Sequence, residues 1–183
     1  MDKLYIMTAF GKDRPGVVAE VTRLIYESGC NLEDSSMTLL MDEFAMILLF
    51  TGKGETLSED LSRECRRLEK EGGISAFFRI LEKRSVRGDT GFSRHTLHVE
   101  GIDQAGIVYR VSRHLADHEV NITNLSSHRE PLPESGTAMY RMEIDIQVPA
   151  SQSLDDLRES LQRLGEEINL DFSLDIPGSM KNR

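Results

Sequence analysis

The chain has 183 residues, enough for one medium domain or two small ones. Hydrophobic residues make up 39% and charged residues 29%, a globular balance, and no apolar run approaches the ~18 residues of a membrane span. The formal net charge of −9 argues against direct grip on nucleic acid, which needs a clustered positive face to meet phosphates.

The N-terminus, MDKLYIMTAF, carries an acid at position 2 and no small-residue cleavage site, so no signal peptide is expected and the cytoplasm is the expected compartment. LYIMTAF, 4–10, reads as a first strand. A helix follows over about 15–28, where Val17, Val18, Val21, Leu24 and Ile25 recur at one-turn spacing. Gly29 stops it. A second strand over about 31–40 and a third over about 44–51 join through the short hairpin Met41-Asp42-Glu43. A second helix spans about 57–71, with Leu57, Leu61, Cys65 and Leu68 as its buried stripe and Thr56 with Glu59 placed as a capping box. Gly72-Gly73 ends it, and ISAFFRILE, 74–82, is the last strand. Arg63, Arg66, Arg67 and Lys70 alternate with acids on that helix, which makes them a solvated face rather than a nucleic-acid patch. Cys30 and Cys65 are too few for a disulfide framework or a metal quartet, and both sit in apolar patterns as buried reduced thiols.

The second half repeats the first. Residues 11–36 and 101–126 align without a gap at an offset of 90, with eight identities in 26 positions, among them Gly11/Gly101, Asp13/Asp103, Gly16/Gly106 and Asn31/Asn121. RHTLHVE, 94–100, matches the first strand. A longer hairpin loop, EPLPESG, occupies 130–136. Leu154, Leu157, Leu161, Leu164 and Ile168 mark the second helix, and a strand near 170–176 closes the unit. The expected fold class is α+β: two ferredoxin-like βαββαβ units, each a four-stranded antiparallel sheet with two helices on one face. The expected boundaries are 1–85, a linker over 86–93, 94–177, and a flexible tail over 178–183. One sheet face per unit is left uncovered. Ile6, Met7, Met37, Leu39, Met46, Ile47, Leu48 and Leu49 exceed what one face needs, so pairing of units or of chains would bury the surplus.

GKDRPGVV, 11–18, stands at a strand–turn–helix junction. It is not a phosphate loop, because valines follow Gly16 where a P-loop has Lys-Ser/Thr, and the unit is too short for a dinucleotide domain. Asp13 is placed to cap the helix, Pro15 fits its first turn, and Gly16 clears space. Amide hydrogens at such a helix start suit a carboxylate. Asn31 is expected to lie beside the turn, with an amide to offer.

The pattern Gly-x-Asp-x-x-Gly-Val/Ile-Val, a helix, then Asn-Leu/Ile opening the next strand, resembles the ACT domain, twice and over nearly the whole chain. Two such domains together resemble the glycine cleavage system transcriptional repressor family. The resemblance implies a non-enzymatic regulatory protein that binds a small amino acid, glycine or similar, at ACT interfaces. Its partner would be a protein, a DNA-binding regulator of glycine cleavage genes, and the chain would act as a homo-oligomer with no nucleic acid or membrane contact of its own. The alternative is a regulatory subunit acting in trans on an amino-acid or one-carbon metabolic enzyme. The resemblance places ligand contacts on Gly11, Asp13, Arg14, Pro15, Gly16, Val17, Asn31 and Leu32, and in the second unit on Asp103, Gln104, Ala105, Gly106, Ile107, Asn121 and Ile122. Gln104-Ala105 in place of Arg14-Pro15 loses a cation and a stiff turn, so the second loop would bind a different ligand or none.

No catalytic constellation emerges. His114 and His118 are four apart on a helix, a metal-capable spacing without an evident third ligand. His95 and His98 fall on opposite faces of a strand. Ser126-Ser127-His128 cannot form a nucleophile–base geometry within one strand. No metal and no cofactor are expected.

Overall fold

The computed structural model describes residues 2–82, 91–132 and 137–175. The chain divides into two compact units, Met1–Arg87 and Gly88–Arg183. Unit 1 runs β1 (Lys3–Lys12), α1 (Val17–Glu27), β2 (Asn31–Leu40), β3 (Glu43–Gly52), α2 (Leu57–Gly72) and β4 (Ser75–Leu81). Unit 2 runs β5 (Phe92–Ile102), α3 (Ile107–Asp117), β6 (Asn121–Pro131), β7 (Ala138–Pro149), α4 (Leu154–Ile168) and β8 (Leu170–Asp175). The antiparallel sheets are ordered β2-β3-β1-β4 and β6-β7-β5-β8, so both units have the expected βαββαβ architecture. The expected linker over 86–93 lies outside the described residues up to 90, and Phe92 and Ser93 already belong to β5. The expected tail over 178–183 and positions 133–136 of the hairpin loop also lie outside the described residues.

Period-two alternation builds the inner layer. In β1, Tyr5, Met7 and Ala9 are buried, and in β3 so are Phe44, Met46, Leu48 and Phe50. They meet Val17, Val21, Leu24 and Ile25 of α1 and Leu57, Leu61, Cys65 and Leu68 of α2. Burying a valine, leucine, isoleucine, phenylalanine or methionine among them is worth about 1.5–3 kcal/mol, which is what fixes the helices to this face. Val18 departs from the expected stripe: at 43% exposure it lies outside the core, like its counterpart Val108 at 38%. The surplus apolar residues divide. Met7, Met46 and Leu48 are core, while Met37, Leu39 and Ile47 are exposed, on the edge strand β2 or on the face without helices.

The helix starts differ from expectation. Helix α1 begins at Val17 with Gly16 as N-cap, not with a cap from Asp13, and Pro15 precedes the cap. Gly16 has φ 101° and Gly106 φ 90°, the left-handed region that side chains resist. The repeated glycine is thus a backbone requirement of the turn. Thr56 caps α2 without a side-chain bond to the backbone and donates instead to the Asp60 carboxylate. Helix α1 ends as the glycine predicts: the Gly29 amide donates to Tyr26 O and the Cys30 amide to Ile25 O, the paired bonds of a Schellman stop.

Candidate functional site

The β1–α1 turn is held from both sides by backbone and side-chain bonds. The Asp13 amide donates to the carbonyl of Asp42 in the β2–β3 hairpin at 2.7 Å, and the Asp103 amide does the same to Ala138 at 2.8 Å. Gly11 closes against the start of β4: a methyl there would lie 2.9 Å from the Gly73 carbonyl oxygen. Arg14 folds back along α1. Its guanidinium donates to the Glu20 carboxylate at 2.6 and 2.9 Å and to the Gly72 carbonyl at 3.3 Å. The forked bond raises the pKa of Arg14 and lowers that of Glu20. Gln104, at the equivalent place in unit 2, donates to the Ile168 carbonyl at 2.6 Å. The residue that sequence reasoning treated as a cation for a ligand therefore ties the turn to the end of the second helix, and glutamine keeps that tie without the charge.

The turn still presents polar groups outward. Residues 12–16 are exposed, and Val17 is the first buried position. Among the described residues, the Val18 and Ala19 amides at the head of α1 carry no hydrogen bond. The Asp13 carboxylate also has no partner among the described residues, whereas Asp103 is bound by Arg129 at 2.7 Å. The two turns thus share a backbone path and differ in electrostatics: among the described residues the carboxylate is paired in unit 2 and unpaired in unit 1. Pro15 and Ala105 are exposed at the crest, and Ile107, like Val17, roots the helix in the core.

Asn31 and Leu32 are not beside that turn. Asn31 pairs with Thr51, while Gly11 pairs with Phe44, seven residues back along β3. At about 3.4 Å per residue the two lie on the order of 24 Å apart along the sheet. Unit 2 repeats the separation, with Asn121 opposite Gln147 and Gly101 opposite Tyr140. Helix α1 runs the length of the sheet before β2 begins, so the chain is at the other end when it reaches the asparagine. There Asn31 donates to Glu33 and Asn121 to Gln147. Asn31 and Leu32 line an open groove with Ala19, Thr22 and Tyr26 of α1. In each unit one strand residue just past the asparagine, Glu33 or Thr123, bulges out of the β2–β3 or β6–β7 register. Sequence reading gave no sign of this bulge, because β2 and β6 are exposed almost throughout and offer no buried alternation whose phase the extra residue would shift.

The thiols and histidines have structural settings. Burial pushes the Cys65 thiol up to about 11, and burial raises Cys30 as well, so neither is a ready thiolate. His95 is buried at 6% exposure, its Nε2 on Ser93 and its Nδ1 on the Asp175 carbonyl, while His98 on the opposite face lies between Glu143 and Asp175. His118 donates from Nδ1 to the His114 carbonyl, and His114 Nε2 meets Ser160 Oγ at 3.0 Å. Among the described residues, no three His, Cys, Asp or Glu side chains are grouped to hold a metal ion. No helix among them is long and apolar enough to cross a membrane.

Comparison with known proteins places these units. An ACT domain profile matches residues 3–79, and a second ACT domain profile matches 94–166. The glycine cleavage system transcriptional repressor of Escherichia coli (strain K12) is 26% identical over 172 residues, covering 93% of this chain and 88% of that protein. A crystal structure of a protein from Galdieria sulphuraria superposes with a TM-score of 0.78 at 25% identity, covering 96% of this chain and 98% of that one. A crystal structure of a protein described as a "putative glycine cleavage system transcriptional repressor" shares the fold, superposing with a TM-score of 0.72 at 21% identity over 96% and 97% of the two chains. Both repeats carry the fold and the turn of one family, and the chain belongs to the ACT domain family as a tandem of two such domains.

Proposed function

We propose that this protein is a non-enzymatic regulator in the cytoplasm that binds a small amino acid, glycine or a close analogue, where ACT units meet. Binding would bias its contact with a protein partner, a transcription regulator of glycine cleavage genes. The observation that carries the reading is the likeness to the repressor, which runs through both units rather than through one domain. The net charge of −9 agrees with action through a partner rather than on DNA itself.

Physical features support a ligand at the first turn. The open amides of Val18 and Ala19 suit a carboxylate, and the unpartnered Asp13 carboxylate suits an ammonium, the two ends of an amino acid. A ligand touching both this turn and an asparagine such as Asn31 would have to lie between two ACT units, because one unit holds them at opposite ends of its sheet. The Asp103–Arg129 pair leaves the second turn poorer in free charge and makes unit 1 the better binder.

A thermal-shift screen of the full chain against the twenty amino acids tests the reading. Ligand at ~100 times its dissociation constant stabilises by about 2.7 kcal/mol, a readable rise. A rise with one amino acid that Asp13→Ala abolishes supports the site. No rise with any of them sinks the ligand part. Capture of a metabolic enzyme instead of a transcription regulator would move the protein to the class of regulatory subunits acting in trans.

A further inference from the structure

The two units bury the same kind of core, but their uncovered sheet faces differ in kind. In unit 1 the strand register sets Phe10, Ile47 and Phe77 outward around Thr8, at 44%, 52% and 64% exposure, with Ile6 and Leu49 half-buried beside them. Phe10 and Phe77 stack with ring centroids 6.1 Å apart. The same registers in unit 2 set Glu100, Glu143 and Ser173 around His98, with Thr96 and Asp145 where Ile6 and Leu49 stand. Unit 2 forms the same sheet with these positions polar, so the fold does not require them apolar. A contiguous exposed apolar patch that folding does not need is the mark of an association surface.

We propose that this face is an interface between two copies of the chain, unit 1 packed on unit 1 about a two-fold axis. Its charge pattern is self-complementary. Lys12 is held by Asp42 of its own copy, while Arg79 shares the face with Asp34 and Glu43, so a two-fold operation can bring the arginine of one copy toward an acid of the other. The outer face of unit 2 is a poor occupant. Glu100, Glu143, Asp145 and Asp175 share Arg141, His98 and Thr96 as partners, and packing four carboxylates on phenylalanines would strip them of water with a single arginine and a histidine to offset the charge. The size is adequate. Four strands about 4.8 Å apart and roughly eight residues long give about 520 Å² per copy, a total just above the ~1,000 Å² of a specific interface. The pairing needs no ligand and stands apart from the proposed amino-acid site.

Sedimentation equilibrium of the full chain decides it, with Ile47→Glu and Phe77→Ser as variants that give unit 1 the residues of unit 2. Both positions are exposed, and a thermal melt checks that each variant folds. The expected result is a wild type of two chains, or of an even number, and a twofold lower mass for the folded variants at equal concentration. Ser173→Glu on the unit 2 face is expected to keep the wild-type mass. A monomeric wild type at tens of micromolar overturns the proposal. So does a wild-type assembly that both variants retain, since the contact would then run through another surface. If Ile47→Glu misfolds, the Phe77→Ser mass decides alone.

Discussion

Arg14 and Gln104 hold the same place in the two repeats, and each donates a hydrogen bond to the last carbonyl of its unit's second helix, Gly72 O at 3.3 Å and Ile168 O at 2.6 Å. Duplicated turns have thus kept one function of the side chain, tying the turn to the helix end, while dropping the charge. Gln104→Ala is expected to lower stability by about 0.5–1.5 kcal/mol, the net value of such a bond. Arg14→Gln is expected to keep the tie and melt near wild type, while Arg14→Ala lowers the midpoint. Denaturant melts of the three variants check this, and equal melting of Arg14→Gln and Arg14→Ala would show that the tie carries no stability.

The left-handed helix stop is occupied by glycine in one unit and glutamate in the other. Gly29 has φ 67° and Glu119 φ 57°, and both close the same pair of backbone bonds. A side chain resists this region by roughly 1–2 kcal/mol, partly offset by the extra freedom of an unfolded glycine. Glu119→Gly is therefore expected to stabilise by about 0.5–1 kcal/mol, and Gly29→Ala to destabilise by a similar amount or more. Chemical denaturation gives both signs, and a destabilised Glu119→Gly contradicts the account.

Tyr5 is fully buried, its ring stacked on Phe50 with centroids 5.4 Å apart, and its hydroxyl has no partner among the described residues. A buried unsatisfied hydroxyl costs about 1–3 kcal/mol. Tyr5→Phe keeps the stack and removes the cost, so it is expected to raise stability by about 1 kcal/mol. A loss of stability in the same melt would reveal a partner for the hydroxyl.

His114 contributes a pH dependence near neutrality. Burial, then the neighbouring His118, holds its pKa below the ordinary imidazole value, against the pull of Asp117, while Arg163 acts with His118. A base with a depressed folded pKa stabilises the fold while neutral. That contribution is complete above about pH 6.5 and is lost as pH falls through the folded value. The thermal midpoint is expected to drop as pH falls below about 6.5, and less so in His114→Gln. Parallel curves for the two proteins would remove His114 as the cause.

The architecture was legible in the chain because its signals are local and repeated. Alternation in FAMILLF, one-turn spacing in Leu57-Leu61-Cys65-Leu68, and the register of Gly, Asp and Asn at an offset of 90 depend only on neighbours a few residues away. Those same signals identified two βαββαβ units and the turn that opens each first helix. They could not say that Gly16 needs a left-handed backbone rather than room for a ligand, since both demands select glycine. They could not say that Arg14 is already engaged by Glu20 and Gly72, 58 residues away. Nor could they show that Asn31 lies at the far end of the sheet from Gly11, a distance set by the length of α1 and the antiparallel return of β3. The contrast between the outer faces was in the sequence as letters. Only the cross-strand register, which lines Phe10, Ile47 and Phe77 up with Glu100, Glu143 and Ser173, made it a surface. Period and propensity act along the chain, whereas sites and interfaces form from residues that folding brings together across it.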